Sequence, residues 1–330
     1  MVRFLFLLFI CSIPFILKDK KSYLLIITYS IYYGFREGIG VDYFAYEAIF
    51  NNINEDFWVE PAYGVLNILF YPVGFKWLNF FIGLMTIYLI FRTLKNYFGE
   101  TNFRKYISYS ILIFLFAPFG YGFYVNGVRQ AIAMTLFFYG YLNLNQKVKY
   151  LFYALASLFH LSSLFIIPFF IIAEKKISNK IMLLSVLISL IVWYFKLIRI
   201  PIVYLLNFTP YAAYVNEYLS SVKTGTGIVF ILNISLLVII LFHKKNILDH
   251  KIKNLIFFNL VFKLLFYDIN LIYRMSFYFD IFLILIIPLW YFSVMKITTK
   301  SHKLINNFVF VLFYLVQISF AFINPNFMLY

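Results

Sequence analysis

Apolar runs long enough to cross a lipid bilayer follow one another along almost the whole chain, separated by short connectors that are mostly basic. No other feature restricts the fold so strongly. A helix needs about 20 apolar residues to cross a bilayer core of about 30 Å. Lipid offers no partner for free backbone N–H and C=O groups, so such runs must be helical. A soluble domain carries about 25% charged residues, whereas this chain carries 12%. The pattern predicts an all-α polytopic membrane protein, one membrane domain over residues 1–330 with no room for a separate soluble domain.

The net charge of +15 would suggest a nucleic-acid partner in a soluble protein. Here lysines and arginines gather in cytoplasmic loops for another reason, the positive-inside rule, so no nucleic acid is implied. The first segment is followed by KDKK at 18–21 and lacks a small-residue cleavage site. It therefore reads as a retained span rather than a signal peptide. The single cysteine, Cys11, says nothing about redox compartment.

Spans are expected near 3–17, 22–35, 75–94, 106–120, 128–145, 181–197, 227–242, 254–268, 276–292 and 304–323. The tract 150–173 is interrupted by "FHLSS", with His160, Ser162 and Ser163 near its centre. Charge parity decides how to read it. If the tract is a pair of short helices that enters and returns, the basic loops at 18–21, 92–105, 146–149, 174–180, 243–253 and 296–303 share one side. One straight span would scatter them. The positive-inside rule favours the broken pair, giving about 12 segments. Short helices end inside a membrane only where protein or water shields them, which places "FHLSS" at an internal wet site.

That topology puts the remaining connectors outside, and with them most of the carboxylates: Glu37, Asp42, Glu47, Glu55, Asp56, Glu60, Glu217 and Asp268. The stretch "REGIGVDYFAYEAIF" (36–50) is the part least explained by membrane insertion. Gly38 and Gly40 permit turns and close backbone approach. Asp42, Tyr46 and Ile49 share one face of an expected helix. "WVEPAYGVLNILFYPVG" (58–74) reads as a half-helix, with Glu60 just before Pro61 at its start. Arg129 follows a glycine turn in "YGFYVNGVRQ", with Gln130 beside it, and Arg274 lies in "YRMSF". Arginine ordinarily prefers the inner side, so Arg36, Arg129 and Arg274 at outer mouths are candidate diphosphate ligands, which a guanidinium grips bidentately. Lys263 falls within a span and must face an internal cavity or pair with a carboxylate; Asp280 is a similar intramembrane charge. His160 suits a general base, a phosphate ligand or a structural helix break. The four histidines are scattered, a DxD is absent, and neither a metal nor a cofactor is implied.

The blocks "REGIGVDYFAYEAIF", "EPAYGVLN", "GVRQAIAMTL", "ASLFHLSSLFIIP" and "YRMSFYF", in that order, resemble the EpsG/Wzy-type polysaccharide polymerases of bacterial capsule, exopolysaccharide and O-antigen assembly. They run from Arg36 to Phe279. Val41 stands where the family usually carries Thr, and Ser163 where it usually carries Ala. The resemblance implies a glycosyltransferase of GT-C architecture in the bacterial cytoplasmic membrane. Such an enzyme transfers a growing glycan from undecaprenyl diphosphate to a new lipid-linked repeat unit on the extracytoplasmic face, sometimes with a chain-length regulator. It also implies that Asp42 is the acidic residue of the first outer loop.

Elementary chemistry agrees. A sugar hydroxyl is a poor nucleophile and needs a carboxylate to take its proton. A departing diphosphate builds negative charge that arginines stabilise. Asp42 is expected to be the general base, with Glu60 as substitute or sugar contact and His160 assisting. Arg36, Arg129 and Arg274 are expected on the diphosphate or sugar, Gln130 and Lys263 as further substrate contacts, and Tyr43, Tyr46 and Trp58 on sugar faces. Rival readings are a glycan ligase, a surface-sugar acyltransferase and a lipid-linked oligosaccharide flippase. Charges crowded toward one face disfavour the flippase.

Overall fold

The computed structural model describes residues 22–53, 59–117, 120–143, 145–208, 228–242, 248–267 and 269–297. The spans expected at 3–17 and 304–323, together with Trp58, Glu55, Asp56, Glu217 and Asp268, lie outside the described residues. Among the described residues every regular element is a helix, and there is no strand. In chain order they are α1 (Ser22–Gly34), α2 (Tyr43–Asn51), α3 (Pro61–Phe70), α4 (Phe75–Phe116), α5 (Tyr121–Asn126), α6 (Val128–Asn143) and α7 (Gln146–Phe159). A 3-10 turn, Leu161–Phe165, leads to α8 (Ile167–Ala173), α9 (Asn179–Tyr194), α10 (Arg199–Leu206), α11 (Ile228–Leu241) and α12 (His250–Leu265). The last are α13 (Asn270–Tyr273), a 3-10 turn (Arg274–Ser276), α14 (Phe277–Asp280) and α15 (Leu283–Ile297).

Helices stand where the apolar runs predicted them, and local chemistry sets their ends. Pro61 opens α3, where its missing N–H costs nothing, and Glu60 precedes it in an extended conformation. The Asn145 Oδ1 atom accepts from the Val148 N–H at 3.1 Å and caps α7. Ser178 caps α9 in the same way. The sequence reading separates 75–94 from 106–120. The structure bears this out: the backbone leaves helical geometry at Gly99 (φ 68°, ψ 160°), so α4 is two helices joined at a glycine kink. Its first part, Phe75–Glu100, is by itself long and apolar enough to cross a membrane. The pair Arg274–Asp280 and Leu283–Ser293 passes the same test when counted together.

Two compact units emerge, one within Met1–Phe165 and Leu283–Tyr330, the other within Ile166–Phe282. In the first, α1 packs along α4. A Cβ on Gly34 would come within 2.6 Å of Phe80 Cβ, and one on Gly83 within 2.8 Å of Tyr33 Cβ. Small residues at this crossing let two backbones approach closely, the route to tight packing where burial from water gives no drive. Thr86 and Thr93 return their hydroxyls to carbonyls one turn back, so their polarity is satisfied inside α4. The rings of Phe137 on α6 and Tyr153 on α7 stack at 4.5 Å.

In the second unit α9 buries a narrow stripe, Met182, Val186 and Ser189. It leaves Ile181, Leu184, Leu187, Ile188 and Ile191 exposed. A contiguous apolar surface of that size is a liability in water and fits lipid.

Candidate active site

The chain leaves helical geometry at His160, where φ is −156° and ψ is 109°. The break falls in the "FHLSS" segment, as its polar residues predicted. It frees the imidazole from the run of α7, and Nδ1 meets Glu60 Oε1 at 3.1 Å. The other carboxylate oxygen, Oε2, accepts from Arg129 Nη1. Three residues from separate segments therefore meet around one carboxylate. Glu60 is buried at 4% exposure. The side chains of Arg129 and His160 are 26% and 25% exposed, so this centre opens on its arginine and histidine sides.

The electrostatics follow from this geometry. Burial pushes the Glu60 carboxyl upward. The His160 hydrogen bond and the Arg129 charge outweigh it, and the carboxyl is held below its ordinary range. Glu60 is thus a carboxylate at neutral pH, with both oxygens engaged. Facing that acceptor, His160 Nδ1 carries the proton, and Nε2 keeps a lone pair when the ring is neutral.

Tyr46 extends the cluster. Its hydroxyl accepts from Arg129, the guanidinium lies 5.8 Å from its ring centre, and the ring meets Tyr63 edge-on at 5.7 Å. Burial raises the Tyr46 hydroxyl against the opposing pull of Arg129. Tyr43 is also buried and packs edge-on against Phe44 and Phe75. Both tyrosines, expected on sugar faces, have protein aromatics as neighbours. Asp42 stands one turn before Tyr46 at the N-terminal end of α2, half-exposed and making no side-chain cap bond to its own helix.

The other expected residues are placed as follows. Arg36 is 2% exposed. Its guanidinium lies 3.9 Å from the Tyr33 ring centre and donates to the Val125 carbonyl at 3.4 Å. Gln130 is buried on α6 next to Arg129. Lys263 and Arg274 belong to the second unit. Lys263 Nζ pairs with Asp280 Oδ2 at 2.8 Å, and Asn259 donates to Asp280 Oδ1 at 2.7 Å. Of the two outcomes expected for Lys263, a cavity or a carboxylate, the structure shows pairing with a carboxylate. Arg274 is half-exposed in its 3-10 turn. Sequence reasoning missed Tyr63, buried three residues after Glu60, and Asn126. The only signal for Asn126 was its place before Gly127, a turn signature that carries no partner.

Comparison with known proteins gives one family, described as the EpsG family, whose model matches residues 21–330. No curated protein and no solved structure matches.

Proposed function

The chain belongs to the EpsG family, the family of Wzy-type polysaccharide polymerases, and from that premise we propose that it polymerises undecaprenyl-diphosphate-linked oligosaccharide repeat units. In this reading it is a glycosyltransferase of the bacterial cytoplasmic membrane, a single polytopic domain of about 12 segments with GT-C-like architecture. Its active site faces the extracytoplasmic side. One observation carries the reading: Glu60 gathers Arg129 and His160 into one half-open cluster.

The reaction requires three things. A hydroxyl of the acceptor sugar attacks the anomeric carbon of the donor. The bond from that carbon to the diphosphate oxygen breaks, and undecaprenyl diphosphate leaves with the electron pair. A base takes the hydroxyl proton. Arg129 is the residue we assign to the leaving diphosphate, because it is cationic, a quarter exposed and fixed by Glu60 and Tyr46. His160 presents Nε2 as a second polar group. Glu60, with both oxygens occupied, orients those two side chains and is a poor proton acceptor. That leaves Asp42, half-exposed and one turn from Tyr46, as the general base. Tyr46 serves by holding Arg129. Arg274 and Lys263 keep a reading as substrate contacts from sequence position only.

Gel analysis of surface glycan in a deletion strain tests the reaction class. A single repeat unit on the acceptor supports the polymerase. No glycan on it overturns the polymerase in favour of a ligase or flippase. Full-length polymer lacking an acyl group overturns it in favour of an acyltransferase.

A further inference from the structure

Three consecutive residues, Tyr124, Val125 and Asn126, are each held by a residue of the segment 33–41. The Tyr33 hydroxyl donates to the Tyr124 carbonyl at 2.6 Å. Arg36 Nη2 donates to the Val125 carbonyl at 3.4 Å. The Val41 N–H donates to Asn126 Oδ1 at 2.6 Å. Gly40, at φ 109°, lies so close that a Cβ there would sit 2.6 Å from the Val125 oxygen. Only glycine meets both demands, the left-handed φ and the close approach.

The ends of this latch lie close in sequence to the two groups the proposed reaction needs. Val41 is the neighbour of Asp42. Asn126 lies three residues before Arg129, and little slack intervenes. Gly127 N–H bonds Phe123 O at 2.7 Å, Ala131 N–H bonds Gly127 O at 2.8 Å, and α6 begins at Val128. Tyr124 is fixed from the other side by its hydroxyl contact with Thr135 at 2.7 Å. A shift of residues 124–126, the end of α5, therefore moves Arg129, and a shift of residues 36–41 moves Asp42.

We infer that Asn126 is a positioning residue whose bond to the Val41 N–H sets the separation between the proton acceptor Asp42 and the diphosphate ligand Arg129. Arg36 acts in the same latch through the Val125 carbonyl. The catalytic meaning rests on the roles proposed above for Asp42 and Arg129; the latch itself does not. A reacting geometry displaced by about 1 Å loses about a hundredfold in rate, so one such bond matters more to turnover than to stability.

The test has a kinetic arm and an arm that needs no activity. For the second, Ile39, 7% exposed, is replaced by cysteine in a C11S background, and maleimide labelling of the detergent-purified full chain is timed. N126A is expected to label several-fold faster than the parent, and N126D, which keeps an acceptor oxygen, at close to the parent rate. For the first, chain extension is followed on lipid-linked glycan extracted from a deletion strain. N126A is expected to lose tenfold or more in turnover with little change in half-saturation, and N126D to recover most of it. N126S replaces N126A if the alanine form does not accumulate. Unchanged labelling overturns the latch. Faster labelling with unchanged turnover, or with only half-saturation altered, overturns its positioning role. Faster labelling in a protein whose parent extends no chain supports the latch and overturns the polymerase reading beneath it.

Discussion

His160 Nδ1 lies 3.1 Å from Glu60 Oε1 across 100 residues of sequence, and the second oxygen of the same carboxylate holds Arg129. Removing the carboxylate strands a cation. Glu60→Ala leaves Arg129 without its counter-charge in a largely buried place. Arg129 is a quarter exposed, so the cost falls below that of a fully buried pair, at about 2–3 kcal/mol. Thermal unfolding of the detergent-solubilised protein should register that loss, and polymer formation should fail. A Glu60→Ala protein as stable as the parent would mean that water already satisfies Arg129.

Asp42 and Glu60 differ in exposure, and the proposed reaction gives them different roles. Asp42 is half-exposed, and Glu60 is buried with both oxygens engaged. Asp42→Asn should give a folded, membrane-inserted protein with normal thermal stability and no chain extension. Normal polymer from Asp42→Asn would remove Asp42 as the base and direct attention to His160.

Much of this could be read from the sequence, and the physical reason for the remainder is specific. The helical break at His160, the start of α3 at Pro61 and the glycine turn before Arg129 all follow from local chemistry. So does the rule that Lys263 must find a cavity or a carboxylate. What local chemistry does not contain is which residues meet. Glu60 lies 69 residues from Arg129 and 100 from His160, and only packing of α3 against α7 and of α6 against α7 brings them together. The same holds for Arg36. Sequence sets Arg36 just after an apolar run, and only the fold shows its guanidinium on Tyr33 and its bond to the Val125 carbonyl. Tyr43 and Tyr46 meet Phe44, Phe75 and Tyr63 edge-on, neighbours that the sequence by itself does not name.

The depressed Glu60 carboxyl sets a direction for acid sensitivity. A group whose folded value lies below its unfolded one contributes stability above the unfolded value, about 4.3 for glutamate, and loses it as pH falls through the folded value. Stability should therefore hold from neutral pH to about 5 and decline below about 4.3. Glu60→Gln carries no titrating group there, so its stability should start lower and fall less steeply over the same interval. The check is unfolding temperature against pH for both proteins; parallel curves would show that Glu60 does not contribute to the acid slope.

In the second unit Lys263, Asp280 and Asn259 form a buried polar group, with Lys263 Nζ 2.8 Å and Asn259 Nδ2 2.7 Å from the two oxygens of one carboxylate and the Tyr273 hydroxyl 3.5 Å from Lys263 Nζ. Both members of the ion pair are almost fully buried. Breaking such a pair from one side leaves a charge with no partner, at about 3–5 kcal/mol, whereas removing both charges is often nearly neutral. Lys263→Met and Asp280→Asn should each lower thermal stability by that order. The double variant K263M/D280N should recover most of the loss, because the amide oxygen that D280N introduces can still accept from Asn259. The double variant also separates a structural pin from a substrate contact. If the pair only joins α12 to α14, the double variant makes polymer. If Lys263 touches substrate, the double variant is stable and makes none. Single variants as stable as the parent would show that the pair contributes nothing to holding this unit together.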